Sequence, residues 1–468
     1  MDKPLTNGNS NPATDNSTRH KTVFVETYGC QMNEYDSEIV REILRRNDFV
    51  LAESVERAGV VLLNTCAIRE NAHDKIRSRI GELRQIKKLN KGMILGVLGC
   101  MAQNLKKELL EDNTGVDLIA GPDSYKALPV MINRVHNTGE REFKLTLSEY
   151  ETYADVFPTN RHGTNAWIAV MRGCDNYCTF CVVPMTRGRE RSRDPFNVIE
   201  EVKQLAGHGF KQVTLLGQNV NSYKFKGFDF AKLITAISRV DGIERIRFTS
   251  PHPKDFPESL LEVVATNPKA CKHIHLPLQA GSNRVLDAMN RTYTREYFVA
   301  LANRMRELIP GLVLTTDVIV GFPTETEAEF QETMDVMQEV QFDSAFMFKY
   351  SERKETMASK TMPDDISEEI KTDRIVRLVD QQRHIAYHRN QRHLGETFNV
   401  MVEGYGKKPK QLLGRNDGNK IVVFPDTGAK PGDFVQVTIE EVTPNTLIGA
   451  AVEQLIGPNP IRTAEIQN

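Results

Sequence analysis

The chain has 468 residues, with 60 Lys or Arg against 62 Asp or Glu and a formal charge of −2. That length implies several domains, and the balanced charge excludes a global positive field, so any nucleic-acid contact must come from local basic patches. No apolar run is long enough to span a bilayer.

Residues 1–20, MDKPLTNGNSNPATDNSTRH, are polar and lack the apolar stretch of a signal peptide, which predicts a disordered tail and a cytoplasmic protein. Seven cysteines in a reducing compartment point away from disulfides. TVFVETYGC reads as a strand ending at Cys30, SEIVREILRRNDF has helical periodicity, and GVVLLNTC is a second strand ending at Cys66. A charged helix over about 69–90 precedes a third strand, MILGVLGC, ending at Cys100. This alternation predicts a parallel α/β domain over 21–137. Residues just past parallel strands share one edge, where ligand sites form. The spacings of 36 and 34 residues therefore place Cys30, Cys66 and Cys100 at equivalent positions of successive units.

Residues 138–160 read as a polar linker. Over 161–393 six strand candidates (WIAVMRGC, QVTLLGQN, RIRFTS, HIHLPLQ, LVLTTDVIVGF, SAFMFKY) alternate with helical stretches near 195–207, 228–239, 256–266, 281–308 and 325–340. They predict a partial (βα)6 barrel whose C-terminal strand edge carries Gly217, Gln218, Asn219, Ser250, Gln279 and Gly321. A long helix follows over 367–393, with Ser367 as N-cap and Gly395 after its end. Residues 394–457 hold short β-rich runs split by Gly, Pro and Asn-Asp-Gly, the pattern of a small antiparallel β-barrel of about five strands. Residues 458–468 read as a loose tail. The fold class expected is α/β: an N-terminal parallel domain, a central partial barrel and a C-terminal β-barrel.

The segment MRGCDNYCTFC places Cys174, Cys178 and Cys181 at the end of the first barrel strand. A structural zinc site closes with four protein ligands, and no fourth thiolate or imidazole is near in sequence. A four-iron cluster held by three cysteines leaves one iron open to a substrate or cofactor. Zinc with a distant ligand and three simply buried thiols are the other readings of the triplet. The spread triplet Cys30, Cys66 and Cys100 suggests a second open cluster, against the ordinary burial of free cysteine. Cys271 fits neither set and is expected to pack, or to lie exposed without a role.

The C-x3-C-x2-C spacing, with Phe180 before the last cysteine, resembles the radical S-adenosylmethionine enzymes. The resemblance implies a [4Fe-4S] cluster whose open iron chelates S-adenosylmethionine and cleaves it to a 5′-deoxyadenosyl radical. It makes Phe180, Gly217, Gln218 and Asn219 candidate cofactor contacts, with Ser250, Gln279, Arg291 and Asp317 from later strands. Gln218 stands where many members carry an acid. The two triplets together, with the words TYGCQMNEYDSE, NTCAIRENAHDK, RGCDNYCTFCVVPMTRGRERSR and LLGQNVNSY, resemble the methylthiotransferase subgroup over about 21–455.

That resemblance implies two [4Fe-4S] clusters, sulfur insertion at C2 of an N6-isopentenylated adenosine beside the tRNA anticodon, and methylation by a second S-adenosylmethionine. It also implies a C-terminal RNA-binding TRAM barrel; an electron-donor protein, no membrane partner and a monomer are separate expectations. No catalytic residue beyond the cluster ligands is singled out. Lys407, Lys408, Lys410, Arg415 and Lys420 cluster in that barrel around a single acid, Asp417, and are the candidate phosphate contacts. Arg187, Arg189, Arg191 and Arg193 form a second basic run that could face RNA. Within the subgroup the alternative substrates are a threonylcarbamoyl-adenosine of tRNA and a ribosomal-protein aspartate. Outside it the alternative is a non-catalytic, zinc-containing RNA-binding protein.

Overall fold

The computed structural model describes residues 19–66, 70–109, 111, 114–158 and 163–455. The expected C-terminal tail, and residues 1–18 of the N-terminal one, lie outside them. The chain forms two compact units that divide between Leu147 and Ser148.

The first unit is built on β1 (Thr22–Thr27), β2 (Val50–Leu51), β3 (Val60–Thr65), β4 (Ile94–Gly99), β5 (Leu118–Ala120) and β6 (Glu142–Lys144). Their order is β2-β1-β3-β4-β5-β6, and every pair is parallel. β3 and β4 are buried along their whole length, as their unbroken apolar runs require in a sheet covered on both faces. Helix α1 (Gln31–Arg45) follows β1, and α2 (Glu70–Leu89) packs Ile76, Ile80 and Leu83 in one core with Val61, Leu63 and Val97. A Cβ at Gly96 would stand 2.6 Å from Leu62 Cδ2, so glycine in β4 leaves room for the neighbouring strand's leucine.

Of these six strands the sequence pattern predicts β1, β3 and β4. The other three have two or three residues, too few to show a period. Helix α3 (Leu128–Thr138) leads into β6, which pairs with β5. The sheet therefore continues to Lys144, inside the segment expected to be linker.

The second unit carries two parallel three-stranded sheets. One holds β7 (Asn165–Ala169), β8 (Gln212–Leu216) and β9 (Arg245–Phe248). The other holds β10 (His273–His275), β11 (Val313–Val320) and β12 (Ser344–Lys349). An isolated parallel bridge between Ile246 of β9 and Ala270, just ahead of β10, links the two sheets, whose six strands follow the order of a partial barrel. Helices α4 (Pro195–Gly207), α5 (Phe230–Ser238), α6 (Glu258–Thr266), α7 (Arg295–Leu308) and α8 (Glu327–Val340) lie between strands and share one core with them. Helix α9 (Glu368–Gln391) follows, its N-cap Ser367 accepting from the Ile370 N–H.

The single helix expected over 281–308 is broken. Asn283–Ala288 ends, and α7 begins only at Arg295. Asn290 lies between them at φ +55°, and its Nδ2 donates to the carbonyls of Asn176 (3.2 Å) and Tyr177 (3.0 Å). The break is a docking point for the cysteine loop.

β13 (Thr397–Tyr405), β14 (Gln411–Arg415), β15 (Ile421–Pro425), β16 (Phe434–Val442) and β17 (Thr446–Leu455) close a barrel in the order β13-β14-β15-β17-β16. All its pairs are antiparallel except β15–β17, which is parallel. Polar contacts fix it to the partial barrel. Arg245 donates to the carbonyls of Asn399 (2.5 Å) and Arg415 (2.7 Å), and Arg247 to those of Asn416 (2.6 Å) and Asp417 (2.7 Å).

The Asp343 carboxylate is 1% exposed, 3.2 Å from Arg389 Nε and 3.0 Å from Lys420 Nζ. Burial alone would raise its pKa, but Lys420 and Arg389 hold it below the usual carboxylate range. Asp343→Ala leaves two cations facing each other at a buried junction. It is expected to destabilise this unit by about 3–5 kcal/mol in chemical denaturation; a change under about 1 kcal/mol would show the cluster to be solvent-screened. Among the described residues, no helix is long and apolar enough to cross a membrane.

Candidate functional site

In the first unit Cys30, Cys66 and Cys100 each follow a parallel strand, β1, β3 and β4. Glycines bring these strand ends together. Gly29 adopts φ +126°, and a Cβ on it would lie 2.2 Å from Cys66 Cβ; Gly99 adopts φ +89°, and a Cβ on it would lie 2.6 Å from the Thr65 carbonyl. Only glycine permits both the dihedral and the approach. Asn64 Nδ2 ties the edge to α1 through the Asn33 carbonyl and Ser37 Oγ, both at 2.9 Å, and Thr65 Oγ1 donates to the Leu98 carbonyl at 2.6 Å. Cys66 and Cys100 are buried and Cys30 half-buried.

In the second unit the loop carrying Cys174, Cys178 and Cys181 is pinned from several sides. Gly173 sits at φ +81° where a Cβ would meet the Arg189 carbonyl at 2.0 Å, and its N–H donates to Gln218 Oε1 at 2.6 Å. Thr179 donates its N–H to the Met289 carbonyl (3.0 Å) and its hydroxyl to the Ala288 carbonyl (2.9 Å). Phe180 packs against the barrel core. Burial raises the Cys174 thiol to about 11 and the Cys181 thiol to about 12. As free thiols these groups stay protonated, so thiolate there needs a compensating cation, which iron would supply if bound.

Among the described residues, no three Cys, His, Asp or Glu side chains converge on a single-ion site. A four-iron cluster does not need such convergence, because each thiolate binds a different iron. Three loop cysteines held in place at a strand end, with no fourth ligand among the described residues, fit that group.

The remaining predicted contacts divide. Gly217 is a packing glycine, since a Cβ would stand 2.6 Å from Met171 Cγ. Gln218 is committed to Gly173. Asn219 is buried and donates to Glu190 (3.2 Å) and Asp255 (2.9 Å). The side chains of Ser250 and Gln279 have no protein hydrogen-bond partner among the described residues. Both are non-glycine residues at positive φ, +59° and +70°, the kind of backbone strain that clusters at ligand sites. Asp317 lies on the face of β11 opposite the core residues Leu314, Val318 and Val320, 3.1 Å from His275 Nε2.

Sequence reasoning passed over His275 and the neighbouring Phe346. Phe346 and Phe348 are 56% and 43% exposed, while Ala345 and Met347 beside them pack on the core. Alternation along SAFMFK was the available signal. Cys271 is buried, as expected.

Three expectations about basic residues change. Lys420 is spent on Asp343 and is removed from the surface candidates. Arg187, Arg191 and Arg193 are buried, with Arg193 2.5 Å from Glu201; only Arg189 is exposed, and it pairs with Asp175 at 2.7 Å. Arg415 is half-buried and pairs with Glu403. Lys407, Lys408 and Lys410 are exposed on the turn between β13 and β14, beside Tyr405, itself 78% exposed. A ring next to cations is a surface suited to single-stranded RNA.

Comparison with known proteins agrees with this division. Residues 22–121 match Uncharacterized protein family UPF0004, 168–337 the Radical SAM superfamily and 391–452 the TRAM domain. The chain is 44% identical to the tRNA-2-methylthio-N(6)-dimethylallyladenosine synthase of Phocaeicola vulgatus over 458 residues, 96% of this chain and 100% of that one. It is 45% identical to that of Chloroherpeton thalassium over 433 residues, 92% and 96% of the two chains.

Two solved structures share the fold. The radical S-adenosylmethionine methyltransferase TsrM from Kitasatospora setae has a TM-score of 0.54 at 14% identity, covering 70% of this chain and 75% of that one. The cobalamin-dependent S-adenosylmethionine radical enzyme OxsB has a TM-score of 0.50 at 14% identity, covering 78% and 56%. With such relatives matched over nearly its full length, the chain belongs to the tRNA-2-methylthio-N(6)-dimethylallyladenosine synthase family of radical S-adenosylmethionine methylthiotransferases.

Proposed function

We propose that this enzyme inserts sulfur at C2 of N6-isopentenyladenosine beside the tRNA anticodon and then methylates it. The observation that supports the reading is the pair of three-cysteine sets, Cys30, Cys66 and Cys100 just past three parallel strands and Cys174, Cys178 and Cys181 on one loop after a strand, with no fourth ligand to either among the described residues. In this reading Cys174, Cys178 and Cys181 hold the [4Fe-4S] cluster that works with S-adenosylmethionine, and Cys30, Cys66 and Cys100 hold a second [4Fe-4S] cluster tied to sulfur supply. When bound, the first cluster and the cofactor supply the electron and the carbon radical that activate the base.

The chain's own residues position and enclose. Gly173, Gly217 and Gln218 shape the loop and the adjacent strand end. Ser250 and Gln279 offer uncommitted polar groups to the cofactor, Asn219 is held by Glu190 and Asp255, and Asp317 with His275 offers a polar patch. Phe346 and Phe348 give apolar surface that suits a prenylated base. An external protein donates electrons, and the chain works as a monomer.

Nucleoside analysis tests the substrate. Transfer RNA from cells lacking the protein should accumulate N6-isopentenyladenosine and lose its 2-methylthio derivative, with the wild-type gene restoring it. Unchanged 2-methylthio content would reject the assignment. Lys407, Lys408 and Lys410 are the proposed phosphate contacts. Replacing the three lysines with alanine should weaken tRNA binding and flatten its logarithmic salt dependence by about 0.7–0.9 for each phosphate that is no longer neutralised. An unchanged slope would remove this turn from the interface.

A further inference from the structure

Arg291 is deeply buried, being only 7% exposed. Its three nitrogens are all directed at named atoms. Nε donates to Tyr293 Oη at 3.1 Å, Nη2 to the Pro277 carbonyl at 3.2 Å, and Nη1 to Cys178 Sγ at 3.3 Å. Among the described residues it has no Asp or Glu partner. Of the other buried arginines of this unit, Arg374 pairs with Glu325 at 2.9 Å and Arg193 with Glu201 at 2.5 Å, while Arg245 and Arg247 donate to main-chain carbonyls and Gln212; Arg291 differs from all four in donating to a thiol.

The groups around Arg291 are neutral. The Tyr293 hydroxyl is committed to the carbonyls of Pro277 (3.0 Å) and Leu278 (2.9 Å). His252, edge-on to Tyr293 at 5.7 Å, is held uncharged by burial and by Arg291 and Lys254, its pKa lowered to about 2. A buried cation without a counter-charge is expensive. One partner within reach can become an anion and remain one: Cys178, as an iron-bound thiolate.

We propose that Arg291 is the built-in counter-charge of the cluster on Cys174, Cys178 and Cys181, and that its guanidinium raises that cluster's reduction potential by favouring the more negative, reduced state. This rests on the reading of the tight triplet as a cluster site. It moves Arg291 from the cofactor contacts to the thiolate. Reduction adds one electron from an external reductant, and Arg291 stays protonated throughout. Hydrogen bonds to cluster sulfurs and nearby charge are established levers on such potentials. Arg291 is a positioning residue here, because it acts through Cys178.

The test is an electron-paramagnetic-resonance potentiometric measurement on the anaerobically reconstituted full chain, without S-adenosylmethionine. Adding S-adenosylmethionine afterwards identifies the relevant cluster by its perturbed signal. Arg291→Gln should make that cluster at least tenfold harder to reduce, a downward midpoint shift of about 59 mV for one electron. Arg291→Lys, which keeps the charge, should fall between the two.

A Gln variant with full iron content and the wild-type midpoint would overturn the proposal. So would equal shifts in Gln and Lys, which would indicate packing, or a shift seen only with S-adenosylmethionine present, which would place Arg291 on the cofactor. If Gln does not hold iron while Lys does, the charge is required as proposed. If neither does, guanidinium shape rather than charge is needed and the proposal fails. A wild-type chain without any responsive signal would overturn the reading of the triplet itself.

Discussion

Cys174→Ala is expected to abolish reductive cleavage of S-adenosylmethionine. The effect should exceed the roughly 10–100-fold that loss of a group merely supporting a metal ligand produces, because one iron loses its only protein ligand. Cys174 starts the loop: its N–H donates to the Gly188 carbonyl at 3.2 Å, and Gly173 before it tolerates no side chain. The substitution removes a half-buried thiol and little else, so the fold should persist. Formation of 5′-deoxyadenosine by the purified, reconstituted variant is the measurement. Wild-type turnover would show that Cys174 is not a ligand.

Cys66→Ala separates the two triplets. Cys66 belongs to the first compact unit and the tight triplet to the second. Cleavage of S-adenosylmethionine should therefore stay within a few-fold of wild type, while formation of the 2-methylthio nucleoside falls to background. Gly29 crowds Cys66, so alanine, being smaller than cysteine, fits without strain. A variant that still makes the 2-methylthio product would remove the spread triplet from sulfur transfer. One that loses both activities would tie this thiol to the radical step instead.

What was legible in the sequence followed from period and spacing. β3 and β4 stand out because a continuous apolar run that stops at a cysteine reads as a buried strand with a candidate ligand at its end; that rule picks out Cys30, Cys66 and Cys100, while the C-x3-C-x2-C spacing picks out Cys174, Cys178 and Cys181. What was not legible came from long-range packing. The interruption between Ala288 and Arg295 hides inside a helical pattern, because Asn290 takes its left-handed backbone to reach the cysteine loop. Lys420 looked like one more basic residue of a surface hairpin; its burial is decided by Asp343, which lies at the start of a barrel strand far upstream. Arg191 and Arg193 alternate with other polar residues as a solvated run would, yet the short antiparallel pairing of Met171–Arg172 with Arg191–Ser192 folds them under the loop.

If one chain carries two incomplete cysteine sites, each holding four irons, the anaerobically purified protein has a fixed metal content. Iron and acid-labile sulfide should both come to about eight per chain, and to about four in the variant with Cys30, Cys66 and Cys100 all replaced by alanine. About four in both proteins would contradict the account, and so would zinc in place of iron.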